Sequence, residues 1–317
     1  MRLSANKTVL FFQLGLIFLV GVPSTLLADA YNGFDVRNSS IPQQEIHRGG
    51  PPRDGIPAID KPKFIAAKKA SFLEPNDRVL GLNLNGETKA YPISILNWHE
   101  VVNDRIDYQP VVITFCPLCG SGVAFSSVAD HRKLNFGVSG LLYNSDVLLY
   151  DRQTESLWSQ LLARAVSGPL VGKELTVIPL EHVRWEDWYR RYPKTLVLSR
   201  DTGFRRDYSR DPYAGYETID GIYFPVKHRD LRYHPKERIL GVEVNGYYRA
   251  YPFAELSNTE GVVEDELNGR RFTVYYDDES HSARIETEES EPVVGITAFW
   301  FAWIAFHPET SVFKSDK

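Results

Sequence analysis

Short runs of alternating apolar and polar residues, separated by Gly, Pro, Asn and Asp, recur along most of this chain. The clearest is DRVLGLNLNGETKAYPISIL (77–96), whose alternation runs up to Asn85-Gly86 and resumes after it. An Asn-Gly pair between alternating runs predicts a tight hairpin, because both turn residues must take positive φ. A short helix is expected after Tyr91-Pro92. The stretch ERILGVEVNGYYRAYPFAEL (237–256) repeats the pattern without a gap, with its own Asn245-Gly246 and Tyr251-Pro252. VVNDRIDYQPVVITF (101–115) aligns in turn with VVEDELNGRRFTVYY (262–276). WEDWYRRYPKTLVL (185–198) aligns with WFAWIAFHPETSVF (300–313), each carrying W-x-x-W and then Pro-x-Thr.

These correspondences predict a β-rich α+β domain, built by internal duplication from two related half-units packed together. The first would span 77–199 and the second 237–317. An extended N-terminal arm (31–76), rich in Pro, Gly, Lys and Asp, precedes them, and a connecting loop (200–236) joins them. The late apolar run ITAFWFAWIAF (296–306) is too short to span a bilayer and reads as a buried element.

The first thirty residues follow another pattern. Arg2 and Lys7 form a basic start, Val9 to Val22 an apolar core, and Ala28-Asp29-Ala30 a small-x-small cleavage site. A signal peptide over 1–30 is therefore expected. The mature protein would be periplasmic or secreted, with no stable membrane insertion once the signal is cleaved. A net charge of −5 over 317 residues offers no basic footprint for nucleic acid. The partner implied is a small molecule or a redox partner protein.

The chain has only two cysteines, Cys116 and Cys119, in VVITFCPLCGSGVAF (111–125). Two cysteines in so long a chain are no disulfide scaffold, and an exported compartment would oxidise a resting dithiol unless a metal or a reductant held it. Three readings stand side by side. In the first, strand–Cys-Pro-x-Cys-Gly–strand is a metal knuckle. His99, on the short helix before the cysteine strand, would be the third ligand, for copper or zinc. In the second, the stretch is a thiol–disulfide redox centre similar to the active-site run of glutaredoxins, although GSGVAFSS is a poor helix start. In the third, the cysteines close a small structural disulfide in a ligand-binding module.

The repeat acts as an internal control. At the positions of Cys116, Cys119 and His99 the second half carries Asp277, Ser280 and Thr259. Any site is thus expected in the first half, which also holds an insert including FGVSGLLYNSDVLLYDRQTESLWSQ (136–160). Asp146, Asp151, Arg152, Glu155 and Ser156 lie there. Asp151 or Glu155 is expected either to cap a helix entry or to complete a metal shell or act as general base beside Cys116, Cys119 and His99. No nucleotide cofactor is expected, because GVSGLLYNSD lacks the lysine of a phosphate-binding loop. There is no G-x-S-x-G elbow, and His99-Glu100 is not followed by a second histidine at metalloprotease spacing.

NWHEVVND, TFCPLCGSG, FGVSGLLYNSDVLLYDRQTESLWSQ, RDYSRDPYAGYE and FWFAWIAFHPET together resemble an exported bacterial family known as a domain of unknown function, number thirty-one seventy-nine. The resemblance covers about residues 75–313. It implies export and supplies no reaction.

Overall fold

The computed structural model describes residues 31–288 and 291–315. The expected signal peptide lies outside the described residues. Of the described residues 41% are strand and 12% helix, with five blades arranged as a β-propeller. This overturns the expected α+β domain of two half-units: the helices are single short segments between strands, and the layers are all sheet.

The first blade is built on the hairpin Arg78–Leu84/Glu87–Pro92. Glu181–Arg184 pairs on one side, and Leu196–Leu198 and then Phe64–Ala66 on the other. The second blade orders Val177–Ile178, Ser121–Ser126, Gln109–Cys116 and Val101–Ile106. The third runs Ile46–Arg48, Phe136–Tyr143, Asp146–Asp151, Leu157–Ser159 and Arg164–Ser167. The fourth repeats the plan of the first with Gly295–Phe299, Arg238–Val244, Tyr247–Pro252 and Ser311–Val312. The fifth is Val262–Leu267, Arg270–Asp277 and Ser282–Glu286. Segments that align in sequence therefore fall in the first and fourth, or the second and fifth, blades. The insert supplies most of the third. A count of two units misses this ring.

The aligned motifs have matching physical roles. Both Asn-Gly turns take positive φ at each residue (54° and 81°; 49° and 81°). Helix α1 (Ile93–His99) follows Pro92, and helix α3 (Phe253–Leu256) follows Pro252. The W-x-x-W segments form α2 (Trp185–Arg191) and α4 (Trp300–Phe306). The second tryptophan of each lies flat on a glycine of the facing strand, Trp188 on Gly81 and Trp303 on Gly241. Each indole N–H donates to the threonine of Pro-x-Thr: Trp188 to Thr195 and Trp303 to Thr310, both at 3.1 Å. In each half a cation and a tyrosine share one aspartate of the following blade, Lys89 and Tyr91 on Asp104, Arg249 and Tyr251 on Asp265.

The arm is woven into the blades through Ile46–Arg48 and Phe64–Ala66. The segment 200–236 contains no strand and one short 3-10 turn, Tyr216–Thr218. It crosses over the second and third blades, which sets up the site.

Candidate dithiol–carboxylate centre

The strand Gln109–Cys116 is apolar on both faces because a blade within the ring is covered on both sides. It turns through residues 117–120, with the Cys119 N–H donating to the Cys116 carbonyl at 3.1 Å, and returns as Ser121–Ser126. Gly120 takes φ 59°, and a Cβ there would lie 2.7 Å from the Phe299 ring. Glycine is required on both counts. The turn presents both sulfurs on one side. The two cysteines are free thiols, 1% and 0% exposed.

The third member comes from the tip of another hairpin. Phe136–Tyr143 and Asp146–Asp151 are joined by Asn144-Ser145, both at positive φ (51° and 66°). A serine in this conformation is uncommon and costs about 1 kcal/mol or more, so its surroundings must hold it there. They do: the Asn144 amide donates to the Ala305 carbonyl at 3.1 Å and accepts from the Lys227 N–H at 2.9 Å. The turn places the Ser145 carbonyl 3.4 Å from the Cys119 sulfur. It also brings Asp146 into a group with Cys116 and Cys119, whose ligand atoms all lie within 4.8 Å of one another. Asp146 Oδ2 accepts from the Leu161 N–H (3.1 Å) and the Ser159 hydroxyl (3.4 Å). Its Oδ1 is buried with no well-formed hydrogen bond, the Cys119 thiol and the Val147 N–H being its nearby donors, and the Ser145 hydroxyl is buried without a partner.

Glu100 adds a second carboxyl. It ends α1 in the left-handed conformation (φ 58°), is 7% exposed and is hydrogen-bonded by the Tyr213 hydroxyl. Burial pushes its carboxyl up to about 8, with the nearby Asp146 carboxylate adding to the shift. Burial likewise raises Asp146 to about 7, against the hydrogen bonds it accepts. Burial holds the Cys116 thiol above its ordinary range. It holds Cys119 well above, helped by its neighbours Cys116 and Asp146. Four acids thus share one dry space.

Both carboxyl pKa values are raised in the folded state, so the protons stabilise that state below the ordinary carboxylate range. That stability is lost as pH rises through about 7 and 8. The melting temperature of metal-free protein should fall between pH 6 and 9. An Asp146→Asn, Glu100→Gln protein should show a flatter profile. Equal slopes would mean that these carboxyls do not carry the effect.

The structure brings together Cys116, Cys119 and Asp146, and does not add the other expected residues. His99 is buried, but both ring nitrogens are engaged, Nδ1 with the Pro57 carbonyl and Nε2 with the Tyr208 hydroxyl, each at 2.7 Å. The Pro57 carbonyl fixes a proton on Nδ1, and burial holds the imidazole below its ordinary range, so the ring is neutral and Nε2 accepts from Tyr208. Tyr208 in turn bonds Thr202 at 2.6 Å, so His99 pins the crossing segment to the second blade. Asp151 caps its own turn, accepting from the Thr154 N–H and hydroxyl and from the Trp158 indole at 2.9 Å. Glu155, half exposed, pairs with Arg53 at 2.7 Å. Glu100, Tyr213 and Tyr216 carry no sequence motif that marks them as site residues. DPYAGYE signals a loop, and only its closeness to the thiols in space marks it.

Fold and centre together define a five-bladed β-propeller with a buried dithiol–carboxylate cluster under an aromatic crossing segment. The chain belongs to the family described as Protein of unknown function (DUF3179), whose model matches residues 53–292. No curated protein and no solved structure is significantly similar to it.

Proposed function

We propose that this is an exported metal-binding protein that holds a thiophilic divalent ion, zinc before copper, through Cys116, Cys119 and Asp146. The observation that carries this reading is the fully buried Asp146 Oδ1, without a well-formed hydrogen bond, grouped with two buried thiols. A buried acceptor left in that state costs roughly 1–3 kcal/mol, which a cation would remove. The chief charged groups acting on these acids are one another, so a divalent ion would also relieve their mutual repulsion. Two thiolates with a carboxylate suit zinc, whereas copper(I) favours sulfur throughout. Glu100, held by Tyr213 and interacting with Asp146 and Cys116, is the candidate for a fourth ligand or a base beside the ion.

A thiol–disulfide role is favoured only by the proximity of the two sulfurs. Their burial and raised pKa values oppose it, since exchange needs an accessible thiolate.

Metal analysis with thiol titration, on protein purified without added metal or oxidant, tests the proposal. About one zinc per chain is expected, with both thiols reacting only after chelation. Metal-free protein that takes up no zinc or copper, and whose cysteines cycle reversibly to a disulfide, would establish the redox role instead.

A further inference from the structure

A second cluster lies beyond the aromatic residues that flank the cysteine turn, and it has the opposite charge. The His182 ring meets Phe115 edge-on at 5.9 Å, and the Arg238 guanidinium lies 5.8 Å from the Phe299 ring. Arg78 and Arg184 sit opposite each other in the first blade. Arg78 Nη2 donates to the carbonyls of His182 (3.1 Å) and His281 (3.2 Å), while its buried Nε has no partner. Arg238 Nη2 is shared by both oxygens of Glu217 at 2.8 and 2.9 Å, and its Nη1 is buried without a partner. Both nitrogens of His182, a residue 4% exposed, are also unpartnered. Burial, then repulsion from Arg238, brings Arg78 down to about 9.

Three arginines and two imidazoles thus face chiefly one carboxylate, Glu217, whose side chain is 58% exposed. Asp278 acts on His281 and accepts from the Tyr276 hydroxyl that His281 also bonds. Arg78 opens on a cleft of about 440 Å³ whose walls include Ser94, Asn97, Tyr213, Tyr216 and Glu217. The other carboxylates of the cleft are already engaged. Asp77 accepts from the Glu74 N–H, and Asp211 accepts from the Asn97 amide and the Tyr213 N–H.

We propose that this cleft binds an oxyanion, a carboxylate, phosphate or sulfate group, held by Arg78 in its wall and by Arg238, which stands behind Glu217, with the Glu217 carboxylate as the resident counterion it displaces. Guanidinium groups are the natural fork for such oxygens, and unpartnered donors in a dry wall gain most from one. Glu217 rides on the same crossing segment that covers the thiols, at the 3-10 turn Tyr216–Thr218. The proposal does not depend on the metal reading.

Calorimetric titration of the full chain with inorganic phosphate, sulfate and acetate, at fixed ionic strength, tests it. Glu217→Gln should bind the preferred anion about tenfold more tightly than wild type, because it frees the Arg238 fork. Arg238→Gln should weaken binding by at least about tenfold. The most tightly bound of the three anions identifies the group. Glu217 is largely exposed, so its variant serves as the test even if Arg238→Gln fails to fold. An unchanged or weakened affinity in Glu217→Gln, or no binding of any of the three, overturns the proposal. The same titration on a Cys116→Ser, Cys119→Ser protein should give wild-type affinity. Binding that vanishes with the cysteines would place the anion on a metal and overturn the separate site.

Discussion

An Asp146→Asn protein should fold, melt no lower than metal-free wild type at pH 8, and bind zinc at least about a hundredfold more weakly. Loss of outer-shell partners alone costs roughly 10–100-fold in metal affinity, and Asp146 is placed closer than that, with an oxygen grouped with both sulfurs. The asparagine oxygen can still accept from the Leu161 N–H, so the anchor at 3.1 Å survives. What disappears is the buried carboxylate, which at pH 8 opposes folding because its folded pKa is raised to about 7. Stability and affinity should therefore move apart, and a merely structural aspartate would not produce that. Chelator competition for zinc and thermal melts in the presence of chelator measure the two effects. Wild-type affinity in this variant would remove Asp146 from the ligand set.

The cysteines themselves should be dispensable for folding, and the sister hairpin shows why. In the fifth blade Arg270–Asp277 turns through 278–281 into Ser282–Glu286, the same four-residue connection as 117–120. His281 takes φ 47° where Gly120 takes 59°, and Asp277 and Ser280 stand where the cysteines stand. The Asp277 carboxylate accepts the Ser280 N–H at 2.9 Å, a bond within the turn itself. One backbone thus serves two sets of side chains. Cys116→Ser with Cys119→Ser should keep the fold and abolish zinc binding, readable by circular dichroism and metal analysis.

How far the sequence discloses this architecture depends on the range of the contacts. The hairpins are local, and alternation around Asn85-Gly86 and Asn245-Gly246 discloses them. The dithiol turn is local too, since an apolar β-branched run leads into Cys-Pro-x-Cys-Gly. Asp146 was half legible: YNSD reads as a turn between two alternating runs, with the aspartate first on the return strand. Nothing in periodicity says that this tip meets the cysteine turn, because ring closure brings the two sheets together. That Glu100 rather than the expected His99 lies by the thiols turns on one left-handed residue. Positive φ at Glu100 ends the helix and leaves the buried carboxylate, not the imidazole, close to Cys116 and Asp146. Glutamate carries no sequence signal for that conformation, unlike glycine or asparagine. The duplicated segments imply two units, while the third blade, which resembles neither, closes the count at five.

The packing that holds the first blade together is equally open to test, through a single methyl group. Gly81→Ala would put a Cβ 2.3 Å from the Trp188 ring, and Gly241→Ala one 2.4 Å from Trp303. Neither indole can retreat. Trp188 is 0% exposed and Trp303 1%, and each is tied by its N–H to a buried threonine, Thr195 or Thr310. Moving Trp188 would break that bond and shift α2 away from the strand Arg78–Leu84, which carries Arg78 at its start. Overpacking of a closed core costs about 1–3 kcal/mol, and with the indole bond strained the upper end applies. At about 2–4 °C per kcal/mol for a domain of this size, Gly81→Ala should melt roughly 6–12 °C below wild type. Trp188→Ala, which empties the site, should cost about 3–5 kcal/mol. Because the strain is steric, the drop for Gly81→Ala should be the same at low and high salt and with or without zinc. Thermal melts read all of this, and a Gly81→Ala protein melting within a degree or two of wild type would show that the tryptophan is free to move and does not clamp the blade.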